Sequence, residues 1–215
     1  MGARIMKVLA ITAAKGGVGK STLSVHMATL AEQAGERVLI ADMDPQESAS
    51  DWARVREKAT PLVAPVDEKG LNDLVEAAKE EGITLLVIDT PPHAQASITK
   101  AARLADFTLV PCQPAPFDLR AVHKTLDMLE QIKARYSVVI NAAPASRGYG
   151  EPPIVKEARE ALSPRPIADP YITRRVAFSH ALISGEAVSE FEPDGKAADE
   201  MATLWKWTKE RLNGD

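Results

Sequence analysis

Short unbroken apolar runs alternate along this chain with longer stretches in which apolar residues recur every three or four positions. The first run, Lys7 to Ala13, leads into a cluster of glycines and predicts a buried strand. From Ser21 to Gln33 the residues Leu23, Met27, Leu30 and Ala31 take helical spacing, and Gly35 marks the stop. Val38 to Ala41 predicts a second strand that ends at Asp42. Leu71 to Lys79 predicts a helix, and Leu85 to Ile88 a strand that ends at Asp89. Thr108 to Val110 and Val138 to Ile140 predict two more strands, ending near Cys112 and Asn141. Between them Leu119, Val122, Leu126, Leu129 and Ile132 mark one face of a long helix. The stretch Ala142 to Pro153, rich in proline and glycine, predicts a mobile loop, and a last helix is expected from Gly195 to Leu212.

Strands this apolar must be covered on both faces, and helices between them force parallel pairing through right-handed crossovers. The expectation is an α/β fold: a doubly wound, mostly parallel sheet flanked by helices on both faces, forming one domain over residues 1–215. In such sheets ligands sit beyond the carboxyl ends of the strands. Gly16, Asp42, Asp89, Cys112 and Asn141 all fall at or just after those ends.

Composition narrows the function classes. Of 215 residues 45% are hydrophobic and 26% charged, the balance of an ordinary globular protein. No apolar run approaches the ~20 residues of a membrane span. The segment before the first strand is too short for a signal peptide, and the single cysteine, Cys112, builds no intrachain disulfide; both fit a cytoplasmic protein. A formal net charge of -4 argues against a whole-surface nucleic-acid binder and leaves room for a local basic patch.

The glycine-rich stretch Lys15-Gly16-Gly17-Val18-Gly19-Lys20-Ser21-Thr22 stands between the first strand and the first helix. It ends as a phosphate loop should, in Gly19-Lys20-Ser21, but Ala14 occupies the place of the usual first glycine. The chemistry survives that change. Glycines let backbone N–H groups turn toward phosphate oxygens, and the helix that follows adds its N-terminal dipole. Lys20 is placed to neutralise the β and γ phosphates of ATP, and the Ser21 hydroxyl to ligate Mg2+.

Lysine at position 15 makes the sequence resemble the deviant-loop family of ATPases that includes ParA, MinD, Soj and the nitrogenase iron protein. The Lys15–Thr22 motif, Asp42-Met43-Asp44-Pro45-Gln46 and Val87-Ile88-Asp89-Thr90-Pro91-Pro92 occur in the family's order and near its spacing. The resemblance implies that Lys15 reaches across an ATP-sandwich homodimer to the partner's phosphates. It also implies that Thr90-Pro91-Pro92 is a second switch segment and that Asn141 hydrogen-bonds adenine, although an Asn that ends a strand also suits a plain turn.

Asp42 and Asp44 are alternate residues on an extended segment, so both carboxylates can face the nucleotide. There they could orient water or hold the Mg2+ water shell, or simply cap the strand and start a turn with Pro45. By resemblance Asp44 matches the position of water activation and Asp42 the neighbouring metal-shell position. Asp89, at the end of a buried strand, needs a cation or donors, and a strand-end Asp holding Mg2+ is the phosphate-loop solution.

One cysteine per subunit excludes the four-cysteine cluster of the electron-transfer branch. Arg174, Arg175 and the segment from Val176 to Ser184 resemble the family's late arginine-bearing helix. Together with Lys196, Lys206, Lys209 and Arg211 they are candidates for a DNA-binding face, or for solvated helix charges. A membrane anchor at the C-terminus is poorly supported, because Gly214 and Asp215 end the chain directly after those basic residues. What the resemblance implies is a short ParA-type ATPase that cycles on nucleoid DNA, partitions a plasmid or chromosome and is stimulated by a cargo-bound ParB-type partner. The alternatives are MinD-like membrane cycling, positioning of a protein cargo, and a nucleotide-dependent scaffold.

Overall fold

The computed structural model describes residues 5–146 and 150–214. Strand β1 (Lys7–Ile11) leads to helix α1 (Lys20–Gln33), β2 (Val38–Asp42), α2 (Ser48–Val55) and β3 (Leu62–Pro65). Then come α3 (Leu71–Glu80), β4 (Leu85–Asp89), α4 (Gln95–Leu104), β5 (Phe107–Cys112), α5 (Pro116–Gln131) and β6 (Tyr136–Ile140). Helices α6 (Pro153–Leu162), α7 (Val176–Ile183), α8 (Val188–Phe191) and α9 (Lys196–Asn213) complete the described chain. Part of the predicted loop at 142–153, residues 147–149, lies outside the described residues.

The strands form one sheet in the order β3-β2-β4-β1-β5-β6, and every pair is parallel. Successive side chains of a strand face opposite layers, and the core divides accordingly. Leu9, Ile11, Ile40, Val87 and Leu109 pack on the side that carries α1, α7 and α9. Val8, Ala10, Leu39, Leu86 and Ile88 pack against α3 and α4, while Val110, Val138 and Ile140 meet α5 and α6. This is the expected doubly wound α/β architecture.

Among the elements that the apolar pattern does not announce, β3 and α6 have local reasons. β3 is a short edge strand flanked by Pro61 and ending at Pro65, with Leu62 49% exposed, so it lacks the apolar run of a buried strand. Helix α6 begins where a loop was expected to end. Pro153 suits the first helical turn, and Val155, Ala158 and Leu162 bury one face against the sheet.

The strand ends position the site. Ile11 and Asp42 both lie in register with Asp89, one on each side of β4. The Met43 N–H donates to the Asp89 carbonyl at 2.9 Å, and the Asn141 N–H to the Cys112 carbonyl at 2.8 Å. The carboxyl edge of the sheet is thereby a fixed platform beneath the loops.

Candidate nucleotide-binding site

The loop after β1 wraps a cavity of about 710 Å³ lined by Gly16, Gly17, Gly19, Lys20, Ser21, Thr22, Asp44, Gln46 and Pro92, among others. Gly17 and Gly19 take left-handed backbone, φ 74° and 97°, which a residue with a Cβ adopts only at a cost. At Gly19 there is also no room, since a Cβ would lie 2.3 Å from the Asn141 side-chain nitrogen. Ala14 is not among the left-handed residues, so the loop does not need the glycine that the general motif puts there. The Ala14 carbonyl instead accepts the His93 N–H at 2.9 Å, tying the loop to the segment after Pro92.

Lys20 is the first residue of α1 and is buried, yet the one hydrogen bond of its Nζ within the described residues is a long 3.4 Å contact to the Lys15 carbonyl. Burial lowers its pKa, against the pull of Asp89 and Asp44. Asp89 is fully buried with both oxygens lacking a partner within the described residues. Burial pushes its pKa up to about 7; the Ser21 hydroxyl opposes that rise from a position short of full hydrogen-bond geometry, and Asp42 adds to it. An orphaned buried carboxylate beside a serine hydroxyl and a buried lysine is a set of donors that suits a divalent cation and a polyphosphate.

The other two aspartates are engaged differently. Asp42 accepts from the Ser50 hydroxyl at 2.8 Å, from the Ser50 N–H at 2.9 Å and from the Asp44 N–H at 3.2 Å. It therefore anchors the connection between β2 and α2, and of the two carboxylates at this level only Asp89 has both oxygens unpartnered. Asp44 is half-buried, accepts the Gln46 N–H at 2.9 Å and lines the cavity.

Lys15 does not face this cavity's phosphate cradle. Its Nζ pairs with Asp118 on the first turn of α5 at 2.7 Å. Asp118 is well buried while Lys15 is 40% exposed, so the lysine is held at the surface by a fixed carboxylate. No sequence signal links residues 103 positions apart.

A second cavity, about 230 Å³, lies on the other side of the loop and is lined by Val18, Gln113, Asn141, Thr173, Arg174 and Phe178 among others. The Asn141 side-chain nitrogen donates to the Val18 carbonyl at 2.7 Å. Gln113, Thr173 and Phe178 were missed by sequence reasoning, although Gln113 directly follows a strand end and strand ends are where ligands sit. Cys112 next to it is buried, and burial followed by Asp118 raises its thiol pKa to about 12, which makes it an inert packing residue.

The candidate basic residues do not share one face. Arg174 and Arg175 stand beside the second cavity, where Arg175 pairs with Glu200 at 2.6 Å. Lys209 pairs with Glu36, which precedes β2, and Arg211 stacks on Trp207 with its carbonyl held by Arg135, which precedes β6. Those contacts put Lys209 and Arg211 at the opposite, amino end of the sheet. Lys206 is exposed between the two ends of α9.

A glycine-cradled loop, a buried lysine and an orphaned strand-end aspartate at the carboxyl edge of a parallel sheet define a phosphate-loop nucleotide-binding protein. The chain belongs to the family described as the CobQ/CobB/MinD/ParA nucleotide binding domain, whose model matches residues 9–188. It is 32% identical over 214 residues to the maintenance of carboxysome distribution protein A of Gloeobacter kilaueensis, covering 97% of this chain and 95% of that one. It is 27% identical over 253 residues to the chromosome partitioning protein ParA of Caulobacter vibrioides, covering 95% and 93%. Among solved structures, a chain of the Aquifex aeolicus MinC:MinD cell division protein complex shares the fold with a TM-score of 0.77 at 20% identity, covering 97% of this chain and 96% of that one. An ATP complex of a Cyanothece McdA variant does so at 0.73 and 19% identity, with 98% and 97% covered. Among the described residues no helix is long and apolar enough to cross a membrane.

Proposed function

We propose that this chain is an ATP-switched positioning ATPase whose cargo is a protein assembly. The observation that carries the reading is the pairing of a complete phosphate cradle with a second lysine, Lys15, parked outside it on Asp118. Support for a protein cargo comes from the carboxysome-distribution relative, matched over nearly its whole length. Plasmid or chromosome cargo is the second reading, supported by the ParA relative.

In this reading the backbone of Gly16 to Thr22 and the Lys20 ammonium bind the phosphates of ATP, and Ser21 and Asp89 hold Mg2+. Bound there, the cation would neutralise charge on the phosphate oxygens. Asp42 holds the β2–α2 connection in place, so that Asp44 is presented to the cavity to orient water and accept its proton. Asn141 faces the base. Lys15 leaves Asp118 to reach the phosphates in a second copy, which makes dimerisation depend on ATP. Hydrolysis is slow until a cargo-bound adaptor stimulates it, and the dimer cycles on non-specific DNA through Arg174, Arg175 and the exposed lysines.

The two cargo readings are separated by deleting the gene in its host. Clustered protein assemblies with unchanged plasmid inheritance are expected; plasmid loss with normally spaced assemblies would favour the second reading. DNA cycling is tested by binding to arbitrary duplex DNA with and without ATP. Binding that appears only with ATP and weakens with salt is expected. Equal binding in both states, or none, would remove DNA from the account.

A further inference from the structure

Two side-chain amides from neighbouring strands grip two successive carbonyls of the phosphate loop. Gln113, directly after β5, donates from Nε2 to the Gly17 carbonyl at 3.0 Å. Asn141, directly after β6, donates from Nδ2 to the Val18 carbonyl at 2.7 Å. Both amides line the smaller cavity. The two peptide bonds are trans, so each carbonyl drawn toward that cavity turns the following N–H the opposite way. Those are the N–H groups of Val18 and Gly19, and within the described residues neither donates to any acceptor. Orientation of these donors is thus set from the base side of the loop.

Gln113 has a second engagement. Its Oε1 accepts from Arg174 Nη2 at 3.3 Å, the one hydrogen bond that this guanidinium makes within the described residues. The Arg174 main chain is fixed, its N–H donating to the Ala143 carbonyl at 2.7 Å, while the side chain is exposed. Arg174 and Gln113 therefore form one wall of the smaller cavity, with the loop attached behind it.

We infer that Gln113 is a positioning residue that couples occupancy of the base cavity to the aim of the phosphate-loop N–H groups. The inference rests on the nucleotide-binding reading of this site. A nucleobase seated against Asn141, Phe178 and Arg174 presses on the wall that holds the Gly17 carbonyl, so base and polyphosphate help each other bind. By thermodynamic reciprocity each raises the other's affinity by the same factor.

The test uses inorganic tripolyphosphate, which has no base, and adenosine, which has no phosphate, with the full chain and Mg2+. Displacement of a fluorescent ATP analogue reads the affinity of tripolyphosphate with and without saturating adenosine. In the parent protein adenosine should raise tripolyphosphate affinity several-fold. In Gln113→Leu tripolyphosphate affinity should fall about fivefold, the scale of one lost hydrogen bond, and the adenosine effect should vanish. Gln113→Glu keeps an acceptor for Arg174 but cannot donate to Gly17, so it should lose tripolyphosphate affinity in the same way and keeps the test valid if the leucine variant folds poorly. A residue that merely supports the fold would not move the adenosine effect. Tripolyphosphate affinity and adenosine effect both unchanged in the two variants would overturn the inference. A parent protein that binds neither ATP nor tripolyphosphate would overturn the nucleotide reading itself.

Discussion

Two clusters of buried charge, Arg56 with Glu190 between α2 and α8 and Lys20 with Asp89 at the phosphate loop, are built in opposite ways. Arg56, just past α2, forms a two-pronged pair with Glu190 at 2.7 and 2.8 Å and also donates to the carbonyls of Thr60 and Gly185. Its guanidinium lies 4.8 Å from the Trp52 ring centre. Glu190 further accepts from Lys58 and from the Ala187 N–H. Lys20 and Asp89, both buried, form no ion pair with each other, and within the described residues both Asp89 oxygens are unpartnered. A buried charge costs several kcal/mol unless it is paired and hydrogen-bonded. The first cluster meets that cost within the chain and ties α2 to α8; the second leaves it to be met by a ligand. Completeness of hydrogen bonding separates charges that hold the fold from charges that wait for a partner.

The largest expected effect is on the closed cluster. Arg56→Met should destabilise the protein by about 3 kcal/mol in denaturant unfolding, because Glu190 loses its two-pronged partner and keeps only Lys58 and the Ala187 N–H. The Arg56→Met/Glu190→Met double variant should recover most of that loss, while ATP affinity stays near the parent value in both. The open cluster should behave in reverse. Lys20→Met should weaken ATP about 100-fold in titration calorimetry, the scale of losing a buried charged contact, and leave the ligand-free protein as stable as the parent or more so. Loss of stability in Lys20→Met without loss of ATP affinity would erase the distinction between the two clusters.

Acid should act through the neighbourhood of the closed cluster. His26, on α1, is fully buried against Phe178; its Nδ1 accepts the Val188 N–H at 3.3 Å and its Nε2 has no partner within the described residues. Burial lowers its pKa to about 3, with Glu190 pulling weakly the other way. The unfolded chain therefore takes up a proton below about 6.5 that the folded chain refuses, and stability falls as pH drops from there toward 3. At Glu190 burial would raise the pKa, but the hydrogen bonds from Arg56, Lys58 and Ala187 bring it down to about 2. Its contribution is present above about 4.5 and is lost as pH falls toward 2. Between pH 7 and 4 protonation of Asp89, whose pKa is raised to about 7, works in the opposite direction. The His26 loss is therefore read in thermal unfolding as the stability of His26→Leu relative to the parent, which should rise as pH falls through that range. The smallest effect on stability belongs to the Lys15–Asp118 pair, where Lys15 is 40% exposed and Asp118→Asn should change stability by less than about 1 kcal/mol.

Much of this arrangement was legible in the sequence because it rests on local pattern. Buried strands appear as apolar runs, and their ends place Asp42, Asp89 and Asn141 on one edge of the sheet. Lys20 and Ser21 follow from the motif. What escaped depends on long-range pairing or on weak pattern. Asp118 meets Lys15 only because α5 starts beside the loop, and Gln113 matters through atoms 96 and 61 positions away. The position of Asp42 follows from the strand end, but its hold on Ser50, a contact that α2 creates, does not. Lys209 and Arg211 of α9 fall at the far end of the sheet from Arg174, because that helix runs back along its length.

If Lys15 makes the nucleotide-bound protein a dimer, its solution mass measured by light scattering follows ATP. Asp44→Ala, which slows hydrolysis in this account, should double its mass with ATP and not with ADP, and adding Lys15→Gln should abolish the doubling while ATP binding persists. A mass that ignores ATP, or a Lys15→Gln protein that still doubles, would contradict the account.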